Sequence, residues 1–212
     1  MTKDWNEWHR AYDDPTSSLS QRLAEVSRMV RGVLDTAPPG EIRVLSLCAG
    51  DGRDLTLGAA GHPRARDLTG LLVELDPTLA TAATANARSI NGRIQVAMAD
   101  AGTTRSFRDA IPVDLLLLCG IFGNVSTDDI RNTIAAVPAM CRADATVIWT
   151  RHRREPDVTP SIREWFDEAG CSPEDFVSPG TGSFAIGRER RQHRAEVGAL
   201  PDQLFTFRDD LW

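Results

Sequence analysis

With 212 residues, 42% of them hydrophobic and 25% charged, the chain has the balance of one large globular domain able to bury a core. The net charge of −6 argues against a protein whose main task is coating nucleic acid. Only Lys3 among the 24 basic residues is a lysine, which sets aside pyridoxal chemistry and P-loop hydrolysis, both dependent on a rigidly placed lysine.

The first residues carry Trp5, Trp8, His9 and Tyr12, an arm too aromatic for a plain tail. Ser18 with Gln21 three residues later has the pattern of a capping box. Leu19, Leu23, Val26, Val30 and Leu34 follow at helical spacing until Pro38-Pro39-Gly40 stops the helix. Residues 1–40 therefore read as an aromatic arm with a capping helix, and residues 41–212 as the main domain. In that domain short apolar strands over Ile42–Leu47, Leu68–Leu75, Arg93–Ala99, Val113–Cys119 and Ala145–Thr150 alternate with helical stretches. The helices run over Pro77–Asn91 and Thr127–Cys141, with further ones starting near Arg53 and at Thr159. This alternation predicts an α/β fold, a doubly wound and mostly parallel sheet with helices on both faces. Ser183–Arg188 and Leu204–Arg208 are strand-like with no helix between them, which predicts a terminal antiparallel pair. The charged segment Glu189–Arg194 between them reads as solvated.

Cys48, Cys119, Cys141 and Cys171 form no CxxC pair, and His9, His62, His152 and His193 have no metal-binding spacing, so no metal is expected. The N-terminus has no apolar run of signal-peptide length, and no segment approaches the roughly 18 apolar residues of a membrane span. A cytoplasmic chain, monomeric or homodimeric, is expected.

In an open parallel sheet ligands bind beyond the carboxyl ends of the strands. Here the first strand runs into the Gly-rich turn Cys48-Ala49-Gly50-Asp51-Gly52, whose backbone N–H groups are expected to face a ligand. Glu74 ends the second strand and suits the two hydroxyls of a ribose. Asp100 follows the third strand and suits an exocyclic adenine amine, and Cys119-Gly120 leaves a small apolar path at the end of the fourth. A dinucleotide fold requires a third glycine where this chain has Leu55. A nucleoside without a pyrophosphate is the better fit.

The run Val44 to Gly52 resembles motif I of the class I S-adenosylmethionine-dependent methyltransferases. Leu72–Pro77 is similar to that family's acidic second motif, Val96–Ala101 to its adenine-contacting motif and Val113–Gly120 to its motif IV. The resemblance spans about residues 42–150 and implies a seven-stranded, Rossmann-like sheet with S-adenosylmethionine as cofactor. It implies cofactor contacts from Ser46, Cys48, Ala49, Gly50, Asp51 and Gly52, then from Glu74 and Leu75, Asp100 and Ala101, and Cys119 and Gly120. Ser46 stands where the family usually has an acid, and Cys48 where it has its first glycine. Asp51 or Asp54 is left to supply the missing negative charge.

The Asn/Asp-Pro-Pro-Tyr motif of nucleobase-amine methyltransferases is absent, the corresponding run being Cys119-Gly120-Ile121-Phe122-Gly123-Asn124. His152, just after the fifth strand, is the candidate general base. Trp8 and Tyr12 on the arm, and Phe122 and Asn124 after the fourth strand, are candidate lid or substrate residues. A small-molecule acceptor, O- or N-methylated, fits the short chain best, with nucleic acid disfavoured as a partner. The alternatives are an RNA or protein methyltransferase using the clusters Arg151, Arg153, Arg154 and Arg188, Arg190, Arg191, Arg194, or a non-catalytic cofactor-binding module.

Overall fold

A computed structural model describes residues 10–179 and 183–208. Trp8 of the expected lid, with Trp5 and His9 of the same arm, lies outside the described residues. Seven strands form one sheet: β1 (Ile42–Leu47), β2 (Leu68–Glu74), β3 (Arg93–Met98), β4 (Val113–Leu118), β5 (Cys141–His152), β6 (Cys171–Val177) and β7 (Phe184–Arg191). Their order is β3-β2-β1-β4-β5-β7-β6, with β1 to β5 parallel and β7 antiparallel to both of its neighbours. The helices are α1 (Ser18–Thr36), α2 (Arg53–Ala59), α3 (Pro77–Ala87), α4 (Thr127–Ala135), α5 (Val137–Met140) and α6 (Thr159–Glu168).

The strand period of two sorts the core onto the two faces. Leu115 and Leu117 of β4 face one way, joining Val44, Leu72 and Ile148 under Met29, Val30 and Leu34 of α1 and Leu55 of α2. Leu116 and Leu118 face the other way, with Leu45, Leu47, Val147 and Trp149 under Ile130, Ile134, Ile162 and Phe166. Burial on both faces explains why β4 is an unbroken apolar run. Between β1 and β4 the chain order reverses, which opens a crevice at the carboxyl ends of the strands.

Several expectations are corrected by the structure. The cap of α1 is Ser17, whose Oγ accepts the Ser20 N–H at 3.0 Å, not Ser18 paired with Gln21. The helix expected over Thr127–Cys141 is split at Ala136, and β5 starts at Cys141 with an irregular register beside β4, where Asp144 takes a positive φ. The edge pair is made by Cys171–Val177 with Phe184–Arg191; the sequence reading had missed the first of these strands. Glu189–Arg191 is therefore not a solvated segment. Glu189 is buried and accepts the Trp149 indole N–H at 3.2 Å, Arg191 is buried, and the half-buried Arg188 and Arg190 both pair with Glu174.

Leu204–Arg208 is extended but adds no strand to the sheet. It crosses the carboxyl ends of the strands, with the Leu204 N–H on the Gly102 carbonyl at 2.8 Å and the Arg208 N–H on the Asn124 carbonyl at 2.9 Å. Leu204 and Phe205 are sunk in the core. Gly102 makes this crossing possible, since a Cβ there would lie 2.3 Å from the Phe205 carbonyl oxygen.

Candidate active site

The crevice holds a cavity of about 490 Å³, within the range of small-molecule sites. Its wall combines the turn after β1, the ends of β2 and β4, the loop after β3, the start of α1 and the crossing segment Thr206–Arg208. Of the residues expected to meet a cofactor, Cys48, Ala49, Gly50, Asp51, Glu74, Leu75, Asp100, Ala101, Cys119 and Gly120 line this cavity. Tyr12 of the arm does so too. Ser46 and Gly52 do not. Ser46 is buried inside β1. Gly52 caps α2 in the left-handed region, φ 75°, and its missing Cβ makes room for Leu72 Cδ1, which would stand 2.9 Å away. Its glycine serves packing, not the approach of a ligand.

The turn after β1 was expected to aim free N–H groups at a ligand. The structure ties three of them down. The Ala49 N–H bonds to the Val73 carbonyl, that of Gly52 to the Ala49 carbonyl, and that of Gly50 to Glu74 Oε2 at 2.7 Å. Glu74 Oε1 accepts the Asp76 N–H at 2.9 Å. One carboxylate thus staples the ends of β1 and β2 together, and each of its oxygens keeps a second lone pair for a ligand. Burial pushes the Glu74 carboxyl upward, against the pull of those backbone hydrogen bonds. Cys48, where a glycine was expected, takes φ 53°, a left-handed conformation rare for a side chain with a Cβ. Burial, then Glu74 and Asp100, hold its thiol well above the usual range, so it stays a neutral wall group.

Of the two acids proposed to replace the missing charge, Asp51 is already compensated. It is buried and paired with Arg53, whose Nε lies 2.7 Å from Oδ2. Asp54 faces the cavity beside Arg22 and the Cys119 thiol, and burial raises its carboxyl while both neighbours oppose the rise. Arg22 escaped the sequence reading, because an arginine on a helix carries no signal of where it points. Its guanidinium donates to the Tyr12 hydroxyl at 2.6 Å, and the Tyr12 ring lies under Arg53 with 4.8 Å between Cζ and the ring centroid. Burial pushes the Tyr12 phenol up to about 12, which keeps it protonated.

A second cavity, about 500 Å³, adjoins the first and shares Arg22 and Gly120 with it. Its wall includes Ser17, Ser18 and Leu19 at the start of α1, Asn124, Thr150, Arg151, His152, Arg154 and Phe184. Asn124 stands where a substrate residue was expected, and its amide donates to the Gly120 carbonyl. Phe122 does not reach this mouth; it is buried 6.2 Å from Trp149, centroid to centroid, as part of the core. His152 packs its ring against Gly123, and its Nδ1 accepts the Arg154 N–H at 3.3 Å. Burial, then Arg151 and Arg154, lower its pKa, so the ring is neutral near pH 7.

Among the described residues no cluster of His, Cys, Asp and Glu could hold a metal, and no helix is long and apolar enough to cross a membrane. No protein-family model and no curated protein matches the sequence. Solved structures do match. An O-methyltransferase family protein from Burkholderia thailandensis superposes with a TM-score of 0.63 at 20% identity, over 82% of this chain. The chain spans 56% of that protein's length. Magnesium protoporphyrin IX methyltransferase from Synechocystis, with bound S-adenosylmethionine, gives 0.64 at 13% identity, covering 89% of this chain and 91% of that one. A TehB-like methyltransferase from Corynebacterium glutamicum gives 0.53 at 16% identity over 82% and 96%. Together with the strand order, these likenesses show that the chain has the fold of the class I S-adenosylmethionine-dependent methyltransferases.

Proposed function

We propose that this chain is a methyltransferase that moves a methyl group from S-adenosylmethionine to an oxygen or nitrogen of a small molecule. The observation that carries the reading is the pair of cavities meeting at Gly120 and Arg22, one rich in nucleoside-type contacts and the other open to an acceptor. In this reading Glu74 grips the ribose, Asp100 and Ala101 border the adenine, and Asp54 faces the methionine ammonium. Bound there, the cofactor supplies a methyl carbon already activated by the adjacent sulfonium. The task left to the chain is to hold an acceptor lone pair in line behind that carbon and to exclude water. Tyr12 and the segment Thr206–Arg208 border the first cavity and are placed for exclusion. His152, neutral near pH 7, borders the second and is the candidate to take a proton from a hydroxyl acceptor, for which its Nδ1 must release the Arg154 N–H that it accepts at 3.3 Å.

The second cavity is the size of a small-molecule site, which favours a small acceptor over a macromolecule. Of the cluster Arg188, Arg190, Arg191 and Arg194 that an RNA or protein acceptor would use, Arg188 and Arg190 meet Glu174 and Arg191 is buried, which leaves Arg194 exposed. Calorimetry tests the cofactor. Micromolar-range binding of S-adenosylmethionine and S-adenosylhomocysteine is expected, and binding of NAD with no heat from either would overturn the reading. Methyl transfer from labelled cofactor to a panel of small acceptors then separates an enzyme from a binding module.

A further inference from the structure

We propose that Asn124 receives an O–H or N–H of the molecule that fills the second cavity, which makes the methyl acceptor a neutral hydroxyl or amine that still carries its proton. The words "methyl acceptor" rest on the reading above; the hydrogen-bonding site does not. Asn124 lies in the loop after β4 and borders this cavity, four residues beyond the Gly120 that both cavities share. It is 6% exposed, and its other polar groups are spent inside the protein. Its backbone N–H donates to the Ile121 carbonyl at 2.8 Å, its carbonyl accepts the Arg208 N–H at 2.9 Å, and its side-chain amide donates to the Gly120 carbonyl. That last bond fixes which end of the amide is oxygen, and Oδ1 is left buried without a partner.

A buried carbonyl oxygen without a donor is uncommon, because it has given up water and gained nothing in return. Phe122 and Val125 of the same loop are packed in the core, so the open space beside Asn124 is the cavity, and a donor for Oδ1 comes from there. A carboxylate has no proton to offer; a hydroxyl or an amine has. Two neighbours in the wall ask for the other half of such a group. Thr150 Oγ1 accepts the Gly120 N–H at 2.9 Å, which leaves its own hydrogen to be donated to a lone pair. Arg151 Nε is a further orphaned donor, and the charge of its guanidinium is already met by Asp157 at 3.9 Å. Hydroxyls and amines both give and take hydrogen bonds, so they suit a wall that holds an unmet acceptor and unmet donors. Leu19 and Phe184 supply apolar wall for the carbon skeleton that carries the group. An amide oxygen is too weak a base to remove the proton. Asn124 holds it, and thereby orients the lone pair of the same atom.

The test follows the Asn124 side-chain amide by NMR in the full chain while phenol, aniline, the donor-free isostere fluorobenzene and benzoate are titrated, with and without S-adenosylhomocysteine. Phenol or aniline is expected to shift the amide signals saturably, with fluorobenzene and benzoate at least about tenfold weaker. Whichever of the first two binds tighter tells a hydroxyl site from an amine site. Two variants, read through the His152 ring, isolate the oxygen. In Asn124→Asp a buried carboxyl facing the Gly120 carbonyl stays protonated, with one O–H donor and one acceptor oxygen, and is expected to keep the preference for phenol over fluorobenzene. Asn124→Ala is expected to abolish it. Equal binding of fluorobenzene, tighter binding of benzoate, no response to phenol or aniline, or a preference that survives in Asn124→Ala would overturn the proposal. If Asn124→Ala fails to fold, the comparison of the four ligands on the unaltered chain still decides. Calorimetry with S-adenosylhomocysteine on the same samples keeps the two readings apart, since its failure would remove the cofactor and leave the phenol result standing.

Discussion

The two cavities are nearly equal in size and share a wall, yet they are built in opposite ways. The first is bordered by five acids, Asp51, Asp54, Glu74, Asp76 and Asp100, mostly at strand ends whose positions the sheet fixes. Among the described residues the second has no acid in its wall, and it draws on the start of α1, the loop after β4, the end of β5 and the start of β7. A ligand met by strand ends is held by the most rigid part of the fold, and one met by loops is held by the part most free to differ. Under the proposed function, the first cavity would hold the cofactor and the second would choose the acceptor.

The sharpest way to break that division is Glu74→Ala. It removes the proposed ribose acceptor and also orphans the Gly50 and Asp76 N–H groups, both held by this one carboxylate. The expected loss in S-adenosylhomocysteine affinity is about 3 kcal/mol, the upper end of the range for a hydrogen bond to a charged group. Calorimetry with S-adenosylhomocysteine checks this, and an unchanged affinity would mean that the ribose is held elsewhere.

A somewhat smaller effect is expected from Gly102→Ala, which lies far from either ligand in sequence. The new Cβ would meet the Phe205 carbonyl at 2.3 Å, so the crossing segment must move and take Thr206, Phe207 and Arg208 off the first cavity. Overpacking of this kind costs roughly 1–3 kcal/mol in general. Here it should appear as about tenfold weaker cofactor binding together with faster proteolysis after residue 200. Unchanged affinity would show that the segment is structural only.

These two positions also mark what the sequence revealed and what it hid. Glu74 was legible because it ends an apolar run followed by Asp76-Pro77, a local signal for a strand meeting a helix. The parallel sheet, its order of strand ends and most of the first cavity followed from such local patterns. Gly102 and Arg22 were not legible, since their roles come from chain segments about a hundred residues away or from the direction of one helix face. The second cavity gave no motif for the same reason. Leu204–Arg208 has the alternation of a strand, but the sheet edge was already filled by Cys171–Val177, so the segment was free to cross the strand ends. Cys171–Val177 itself was obscured by Pro173 and by charge at Glu174 and Asp175, which an edge strand tolerates.

For His152 the prediction concerns pH. Burial and the flanking Arg151 and Arg154 lower its pKa, with Asp157 pulling the other way. If it takes the acceptor's proton, turnover depends on the neutral ring and rises with pH through a midpoint below the ordinary imidazole value of about 6.5. Between pH 7 and 8 the profile should be flat, and His152→Gln should lower it by roughly tenfold or more without changing S-adenosylhomocysteine affinity. A midpoint well above 6.5 that persists in the variant would assign the titration to the acceptor itself. His152 would then be a wall residue of the second cavity.

The smallest expected effect lies in the first cavity, at Cys48. Its φ of 53° places a side chain where the left-handed backbone crowds Cβ against the following carbonyl, a penalty of about 1–2 kcal/mol for residues other than glycine. Comparing Cys48→Gly with Cys48→Ala isolates this penalty, because both remove the thiol and its partial packing against the core. Glycine also gains more freedom in the unfolded chain, which offsets about 0.4–1 kcal/mol. The glycine variant should therefore be the more stable by about 0.5–1 kcal/mol, the reverse of the usual order for these residues. Urea unfolding should show a higher midpoint for the glycine variant at an unchanged slope. An alanine variant equal to or better than glycine would mean that the turn relaxes out of the left-handed region, and the rigidity assigned to the first cavity would not extend to its opening residue.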